Sequence, residues 1–198
     1  QIRIFPLKLT SGMLQHALSF RCEHHQQLPF LAPAQLSGNI GVFHQRQRHI
    51  RAFAFFEILT LGAGLLSGFV SGTAGFERLI KPPLTPPAFV FPLVWTVLYA
   101  LMAFAAYLVF NTDDIDRGAP LRMYLLQLLV NVLWPVFFFR LEWRLFSFFW
   151  LLLLIALVTL TMTGFKYIRP AAYYLMLPYL LWCLFAAYLN LAFYLLNR

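Results

Sequence analysis

From residue 52 onward, long apolar segments alternate with short polar breaks. A helix rises 1.5 Å per residue, so about 20 residues cross the hydrocarbon core of a bilayer, which is about 30 Å thick. Backbone groups in lipid must pair within their own segment, and these segments lack the alternation of strands. The sequence therefore predicts an all-α membrane protein, a bundle of five transmembrane helices. The predicted spans are 52–72, 88–110, 121–139, 146–165 and 171–195.

Composition supports this class of protein. Hydrophobic residues make up 61% of the chain and charged residues 11%, whereas soluble domains average roughly 45–50% and about 25%. These values exclude a secreted disulfide scaffold, a disordered tail protein and a soluble nucleotide-binding domain. The formal net charge is +8, and basic residues such as Lys166 and Arg169 flank apolar segments. Cations there fix topology or meet lipid headgroups, so membrane lipid is the expected partner and nucleic acid is not.

The chain divides into two parts by composition. Residues 1–50 are rich in Gln, His and Arg without helical or strand periodicity, which predicts a disordered N-terminal extension. Residues 51–198 form the predicted transmembrane domain. All five histidines precede residue 50, and Cys22 and Cys183 cannot form a metal motif. We therefore expect no metal site and no catalytic residue. Spans two to five contain no Asp, Glu, Lys or His, which argues against a proton- or sodium-driven transporter.

Three of the spans carry aromatic and amide residues at helical spacing. An amide in hydrocarbon needs a partner, so these faces should point into the bundle. Inward faces of Trp, Tyr, amide and small residues predict a flat, largely apolar pocket for a planar ring ligand. The three sets are Trp95, Tyr99, Met102 and Ala106; Gln127, Asn131 and Trp134; and Tyr179, Trp182, Ala186 and Asn190.

The same residues have a simpler interpretation. Trp and Tyr near helix ends commonly form interfacial belts, and inward aromatic side chains commonly serve packing alone. In that interpretation Gln127 and Asn131 form hydrogen bonds between helices and contact no ligand.

Three blocks of sequence carry a resemblance to a known family. In the first block, Lys81–Pro87 reads KPPLTPP and Phe91–Tyr99 reads FPLVWTVLY. Further blocks are Gln127–Phe139, QLLVNVLWPVFFF, and Pro178–Asn190, PYLLWCLFAAYLN. In order and spacing the chain resembles the TspO/MBR family, the translocator proteins or peripheral-type benzodiazepine receptors.

The resemblance implies a dimeric five-helix bundle with a pocket for tetrapyrroles such as protoporphyrin IX and haem, for sterols and for benzodiazepine-like ligands. Stacking on Trp95 and Trp182 would hold the ring, with Asn131 donating a hydrogen bond. The implied ligand is not a resident cofactor. Matched to the family motifs, the ligand-binding residues are Trp95, Tyr99, Asn131, Trp134, Phe138, Trp182, Phe185 and Ala186.

The loop between the first two spans is the implied lid of this pocket. Prolines fix φ and remove donors, which predicts a stiff extended loop and no helix. Lys81 and Arg78 would meet either a ligand propionate at the mouth or lipid headgroups. The lid residues are Lys81, Pro82, Pro86 and Pro87.

The C-terminus fits the loose cholesterol pattern L/V-x-Y-x-R/K at Leu191, Tyr194 and Arg198. Aromatic and basic anchors at helix ends meet this pattern by chance very often, so it is a hypothesis only.

The resemblance implies a sensor, transporter or scavenger in a bacterial envelope or an organelle outer membrane. One alternative is an enzyme that degrades bound porphyrin with light or oxygen. Many family members carry a Trp-Tyr pair where this chain has Gly75 and Phe76, and a loop aromatic where it has Leu84. These differences weaken that alternative more than they weaken binding. A further alternative is a non-catalytic membrane scaffold.

Overall fold

The computed structural model describes residues 33–72 and 78–198, with side chains from residue 45 onward. The described residues form five long helices. The helices are α1 Pro33–Ser71, α2 Val90–Phe110, α3 Gly118–Pro135, α4 Arg144–Ile168 and α5 Pro170–Leu196. A 3₁₀ turn, Ile115–Arg117, precedes α3, and a π-helical turn, Val136–Arg140, follows it.

In the described part of the chain, five segments are long and apolar enough to cross a bilayer. They are Gln45–Ser71, Val90–Phe110, Ile115–Arg140, Arg144–Ile168 and Pro170–Leu196. Lengths of 21 to 27 residues are sufficient to span the hydrocarbon core with some tilt. The five-helix prediction is confirmed, and the chain is a multi-pass integral membrane protein.

The first helix starts earlier than the sequence pattern predicts. α1 begins at Pro33, ahead of the predicted start of the first span at residue 52. Adding a residue to an existing helix costs little, and Gln and Arg are good helix formers. The predicted extension up to residue 32 lies outside the described residues. Residues 46–198 form one compact unit, which is the part described below.

The helices of this unit contact one another in a closed order. α2 packs against α5, α5 against α4, and α4 against α3. α1 completes the ring because Thr60 hydrogen-bonds Tyr124 of α3 and Phe53 packs edge-on against Tyr107 of α2. Around the bundle the order is therefore α1, α2, α5, α4, α3.

Small residues allow α2 to approach its neighbours closely. Ala103, Ala105 and Ala106 are fully buried, as is Met102 on the same helix. In membranes the lipid tails are as apolar as the helices, so helices associate through close packing. Small side chains favour this packing because they let the helix backbones approach each other. The bundle core lies against this face of α2.

Pro135 shapes the end of α3 beside the candidate site. Proline lacks an N–H and crowds the carbonyl four residues earlier, so a regular helix cannot continue through it. The π-helical turn follows, and the Leu141 N–H donates to the Val136 carbonyl at 3.0 Å. This turn leaves Phe138 buried, while Phe137 packs on Trp150 of α4.

Candidate functional site: an aromatic and amide interior beneath the α1–α2 loop

The three predicted inward faces are buried to different degrees. Seven of their eleven residues are buried, and Trp95, Trp134, Trp182 and Ala186 are half-buried. The buried members are Tyr99, Met102, Ala106, Gln127, Asn131, Tyr179 and Asn190. The half-buried residues all lie toward the end of the bundle where α2 begins and α5 ends, which we call the loop end.

Trp95, Tyr99 and Asn131 form one continuous contact across α2 and α3. The Trp95 and Tyr99 rings are stacked, with centroids 5.3 Å apart. Asn131 Nδ2 donates to the Tyr99 hydroxyl at 3.2 Å. The helical spacing of the sequence thus brings these three predicted site residues together.

The hydrogen bonding of Asn131 differs from the sequence expectation. The amide nitrogen, predicted to donate to a ligand, donates to Tyr99. Among the described residues, Asn131 Oδ1 is buried and has no hydrogen-bond partner. The atom of Asn131 that lacks a partner is therefore an acceptor, because the tyrosine hydroxyl of α2 faces its nitrogen.

A second contact starts from the same indole and crosses to α5. The Trp95 ring packs edge-on against Tyr179, with centroids 6.3 Å apart. The Tyr179 hydroxyl donates to Gln127 Oε1 at 3.0 Å. Gln127 Nε2 has no hydrogen-bond partner in the described part of the chain.

The hydrogen bonds of the two amides agree in part with the interpretation that they only link helices. Gln127 and Asn131 both form hydrogen bonds between helices, as that interpretation predicts. Each amide also keeps one buried polar atom unpaired. Buried polar atoms in native proteins are nearly always paired with protein or water, so unpaired ones require an explanation.

Aromatic side chains fill the loop end of the bundle. Trp182 of α5 lies 6.1 Å from Phe91 of α2 and 5.5 Å from Phe185, between ring centroids. Phe138 forms a small cluster with Phe193 and Leu189. Trp134 packs against both this cluster and the main core of the bundle. It therefore lies between the deeply buried residues of the predicted site and those at the loop end.

A polar group behind Trp134 links α3, α4 and α5. Ser147 and Asn190 are buried, and the Asn190 side-chain amide lies 3.0 Å from Ser147 Oγ. With the Asn190 amide turned to satisfy both of its polar atoms, its oxygen accepts from Trp134 Nε1 at 3.0 Å. In the same orientation its nitrogen donates to the Arg144 carbonyl at 2.8 Å. These bonds hold the Trp134 indole in one orientation.

The loop before α2 is non-helical from residue 80 to residue 89, as its prolines predict. The Thr85 hydroxyl donates to the Pro82 carbonyl at 2.7 Å, and Leu84 has a φ of 66° within this turn. A positive φ at the third position is typical of a type II turn. Of the predicted lid residues, Pro82 is buried, Pro86 is half-buried, and Lys81 and Pro87 are exposed.

Hydrogen bonds tie this loop to the end of α5. The Tyr188 hydroxyl donates to the Pro83 carbonyl at 3.1 Å. Asn197 Oδ1 accepts from the Ile80 N–H at 2.8 Å, and Asn197 Nδ2 donates to the Ile80 carbonyl at 3.0 Å. The sequence analysis missed Tyr188 and Asn197, because a polar residue near a helix end gives no local signal of a distant partner.

The remaining predicted residues lie at or near the C-terminus. Leu191 and Tyr194 are half-buried on α5, and Arg198 is exposed beyond it. Gly75 and Phe76 lie outside the described residues.

Comparison with known proteins identifies the family. The sequence profile of the TspO/MBR family matches residues 56–195. The chain belongs to the TspO/MBR family. The match includes all five transmembrane segments in whole or in large part, so family membership and the five-helix bundle agree.

Individual relatives of this TspO/MBR chain come from distant organisms. It is 33% identical to the tryptophan-rich protein TspO of Chlorobaculum tepidum over 156 residues, covering 71% of this chain and 98% of the relative. It is 32% identical to the translocator protein of Ovis aries over 133 residues, covering 66% and 78%. It is 36% identical to the tryptophan-rich sensory protein of Cereibacter sphaeroides over 115 residues, covering 58% and 72%.

Proposed function

We propose that this membrane protein binds a tetrapyrrole, protoporphyrin IX or haem, and also accepts sterol-like ring ligands. The ligand lies between α2, α3 and α5, beneath the loop of residues 78–89. The observation that carries the proposal is the half-burial of Trp95 and Trp182 at the inner faces of these helices. Flat aromatic faces bind flat ring systems by offset stacking, which favours a planar ligand.

The absence of charge from the site supports an apolar ring ligand. The described residues that line it are aromatic, aliphatic and amide side chains, and Lys81 and Arg78 lie exposed outside it. The carboxylates of a porphyrin would remain at the mouth near these cations, while its ring enters the bundle. The names translocator protein and sensory protein, carried by relatives, support a role as sensor, transporter or scavenger.

A titration of the purified protein with protoporphyrin IX tests the proposal. Absorbance of the porphyrin, and not fluorescence of tryptophan, reports binding, because the variants change the tryptophan content. We expect Trp95→Ala and Trp182→Phe each to weaken binding by about tenfold, equivalent to about 1.4 kcal/mol. Trp143→Ala is the matched control, since the Trp143 side chain is 56% exposed between α3 and α4. Unchanged affinity in both site variants would reject this location.

The proposal includes a homodimer, as the family resemblance implies. Binding in our account uses residues of one bundle only, so a dilute monomer in detergent should still bind the porphyrin. If ligand binding disappears on dissociation while the helices stay folded, the aromatic faces belong to a contact between subunits.

A further inference from the structure

Glu57 is an acidic side chain in the middle of the first membrane-spanning segment, Gln45–Ser71. The His49 and Asn111 side chains are hydrogen-bonded, which places His49 level with the end of α2. Glu57 follows His49 in α1 by eight residues, which is about 12 Å along the helix axis. The 21 residues of α2 span about 31 Å, close to the thickness of the hydrocarbon core. The Glu57 carboxyl group therefore lies at membrane depth.

Apolar side chains surround this level of α1. Phe56 is buried and packs edge-on against Phe110 of α2 and Tyr124 of α3. Ile58 is 74% exposed and faces lipid. Glu57 is half-buried between them, at the border of the bundle and the lipid. Lys and Arg reach the headgroups through long aliphatic stems, and a glutamate side chain is shorter.

No cation neutralises Glu57 in the described part of the chain, where it has neither a hydrogen bond nor an ion pair. Arg51, the nearest basic residue on α1, is six residues away, whereas side chains three or four apart meet on a helix. At the start of α3, Arg117 donates to backbone carbonyls at the end of α2, and Arg122 is exposed. A carboxylate at this position would therefore be unpaired.

The other titratable groups that face this level are tyrosines. Tyr107 of α2 accepts from the Asn111 amide at 3.4 Å. Tyr124 of α3 is fully buried, is hydrogen-bonded to Thr60 and lies within the electrostatic range of Glu57. Phenol hydroxyls are neutral below about pH 10. The neighbours of Glu57 are thus uncharged, which favours the protonated carboxyl group over the carboxylate.

We propose that Glu57 is a proton-binding site in the wall of the bundle, and that its proton keeps α1 packed on α3. At neutral pH the carboxyl group holds the proton. When the proton is lost, the carboxylate moves toward water at the end of the bundle opposite the loop end, because an unpaired charge in hydrocarbon is costly. Thr60 lies one turn from Glu57 on the same helix, so this movement strains the bond between Thr60 and Tyr124.

Infrared spectroscopy of the purified protein in lipid nanodiscs detects this proton through the C=O stretching band of a protonated carboxyl group. An exposed glutamate loses its proton at about pH 4.3. We expect a band that persists at neutral pH, disappears only in alkaline solution and is absent from Glu57→Gln. Glu142→Gln is the matched control, because Glu142 is exposed and paired with Arg144. A protein without this band at neutral pH, or a band that remains in Glu57→Gln, overturns the proposal.

Carbodiimide labelling locates the proton without any variant. Dicyclohexylcarbodiimide reacts with protonated carboxyl groups in apolar surroundings, and mass spectrometry of peptides identifies the labelled residue. At neutral pH we expect Glu57 to be labelled at least about tenfold more than Glu142, which is ionised there. Equal labelling of the two glutamates, or preference for Glu142, contradicts the site even if Glu57→Gln does not fold.

Amide hydrogen exchange tests the link between the proton and the packing of α1. The exchange rates at Thr60 and Gly64 are compared between the unchanged protein and Glu57→Gln at each pH, which cancels the intrinsic pH dependence of exchange. We expect a rate ratio near one at neutral pH and of about ten in alkaline solution. A ratio of one in both solutions shows that the proton does not control α1. No porphyrin is present in these measurements, so their failure leaves the proposed ligand site unaffected.

Discussion

The Asn197 side chain pairs with both polar atoms of the Ile80 backbone, across a separation of 117 residues. Its oxygen accepts from the Ile80 N–H at 2.8 Å, and its nitrogen donates to the Ile80 carbonyl at 3.0 Å. The side-chain amide thus forms the two hydrogen bonds that a neighbouring peptide group would otherwise form with Ile80. Together with the bond from Tyr188 to Pro83, it fixes residues 80–83 of the α1–α2 loop to α5.

Removing the Asn197 amide should loosen this loop without unfolding the bundle. Asn197→Ala deletes two hydrogen bonds to Ile80, each with a net contribution of about 1 kcal/mol. We expect amide hydrogen exchange at Ile80 to rise by roughly tenfold or more, and dissociation of bound protoporphyrin to accelerate. Thr163→Ala, which removes an exposed hydrogen bond to the Leu160 carbonyl within α4, is the control. Unaltered exchange at Ile80 would show that Asn197 does not hold the loop.

Alanine substitution at two glycines of α1 should have contrasting effects on stability. A Cβ added at Gly64 would overlap the Tyr99 ring, 2.6 Å from its Cδ2 atom, whereas one at Gly68 would meet nothing within 4 Å. Tyr99 is buried and bonded to Asn131, so it cannot move away freely. Gly64→Ala should lower the free energy of unfolding by about 1–3 kcal/mol, as overpacking does.

Gly64→Ala should also weaken porphyrin binding, because Tyr99 stacks on Trp95. Gly68→Ala should leave stability and binding unchanged or slightly improved, since alanine favours helix more than glycine does. Thermal unfolding in detergent measures the first effect and porphyrin titration the second. Equal thermal stability and equal porphyrin affinity of the two variants would show that α1 does not pack closely on Tyr99.

The hydroxyls of Thr60 and Tyr124 should couple α1 energetically to α3. They are buried and lie 2.5 Å apart. In a double-mutant cycle with Thr60→Val and Tyr124→Phe, we expect a coupling energy of about 1 kcal/mol. Thr159→Val with Tyr124→Phe is the matched cycle, because among the described residues Thr159 bonds only the Ile155 carbonyl of its own helix. A coupling energy of zero in the first cycle would show that this hydrogen bond does not stabilise the packing of α1 on α3.

Sequence alone was sufficient for the number of helices and for most of the buried residues on the three inward faces that it predicted. The hydrocarbon core fixes the length of a span, and the cost of burying an amide in lipid fixes the side that turns inward. Tyr99, Asn131 and Tyr179 are accordingly buried. The start of α1 at Pro33, ahead of the predicted membrane span, has no periodic signal in the sequence, because extending an existing helix requires no new nucleus.

The tertiary structure alone decided how the helices and their polar atoms are paired. Local periodicity selects the face of a helix but not the neighbour it meets, so the ring order and the Thr60–Tyr124 bond were beyond prediction. The same holds for the bond that occupies the Asn131 nitrogen with Tyr99 and for the attachment of Ile80 to Asn197. Each depends on atoms far apart in the chain, and only the packed bundle brings them within hydrogen-bond distance.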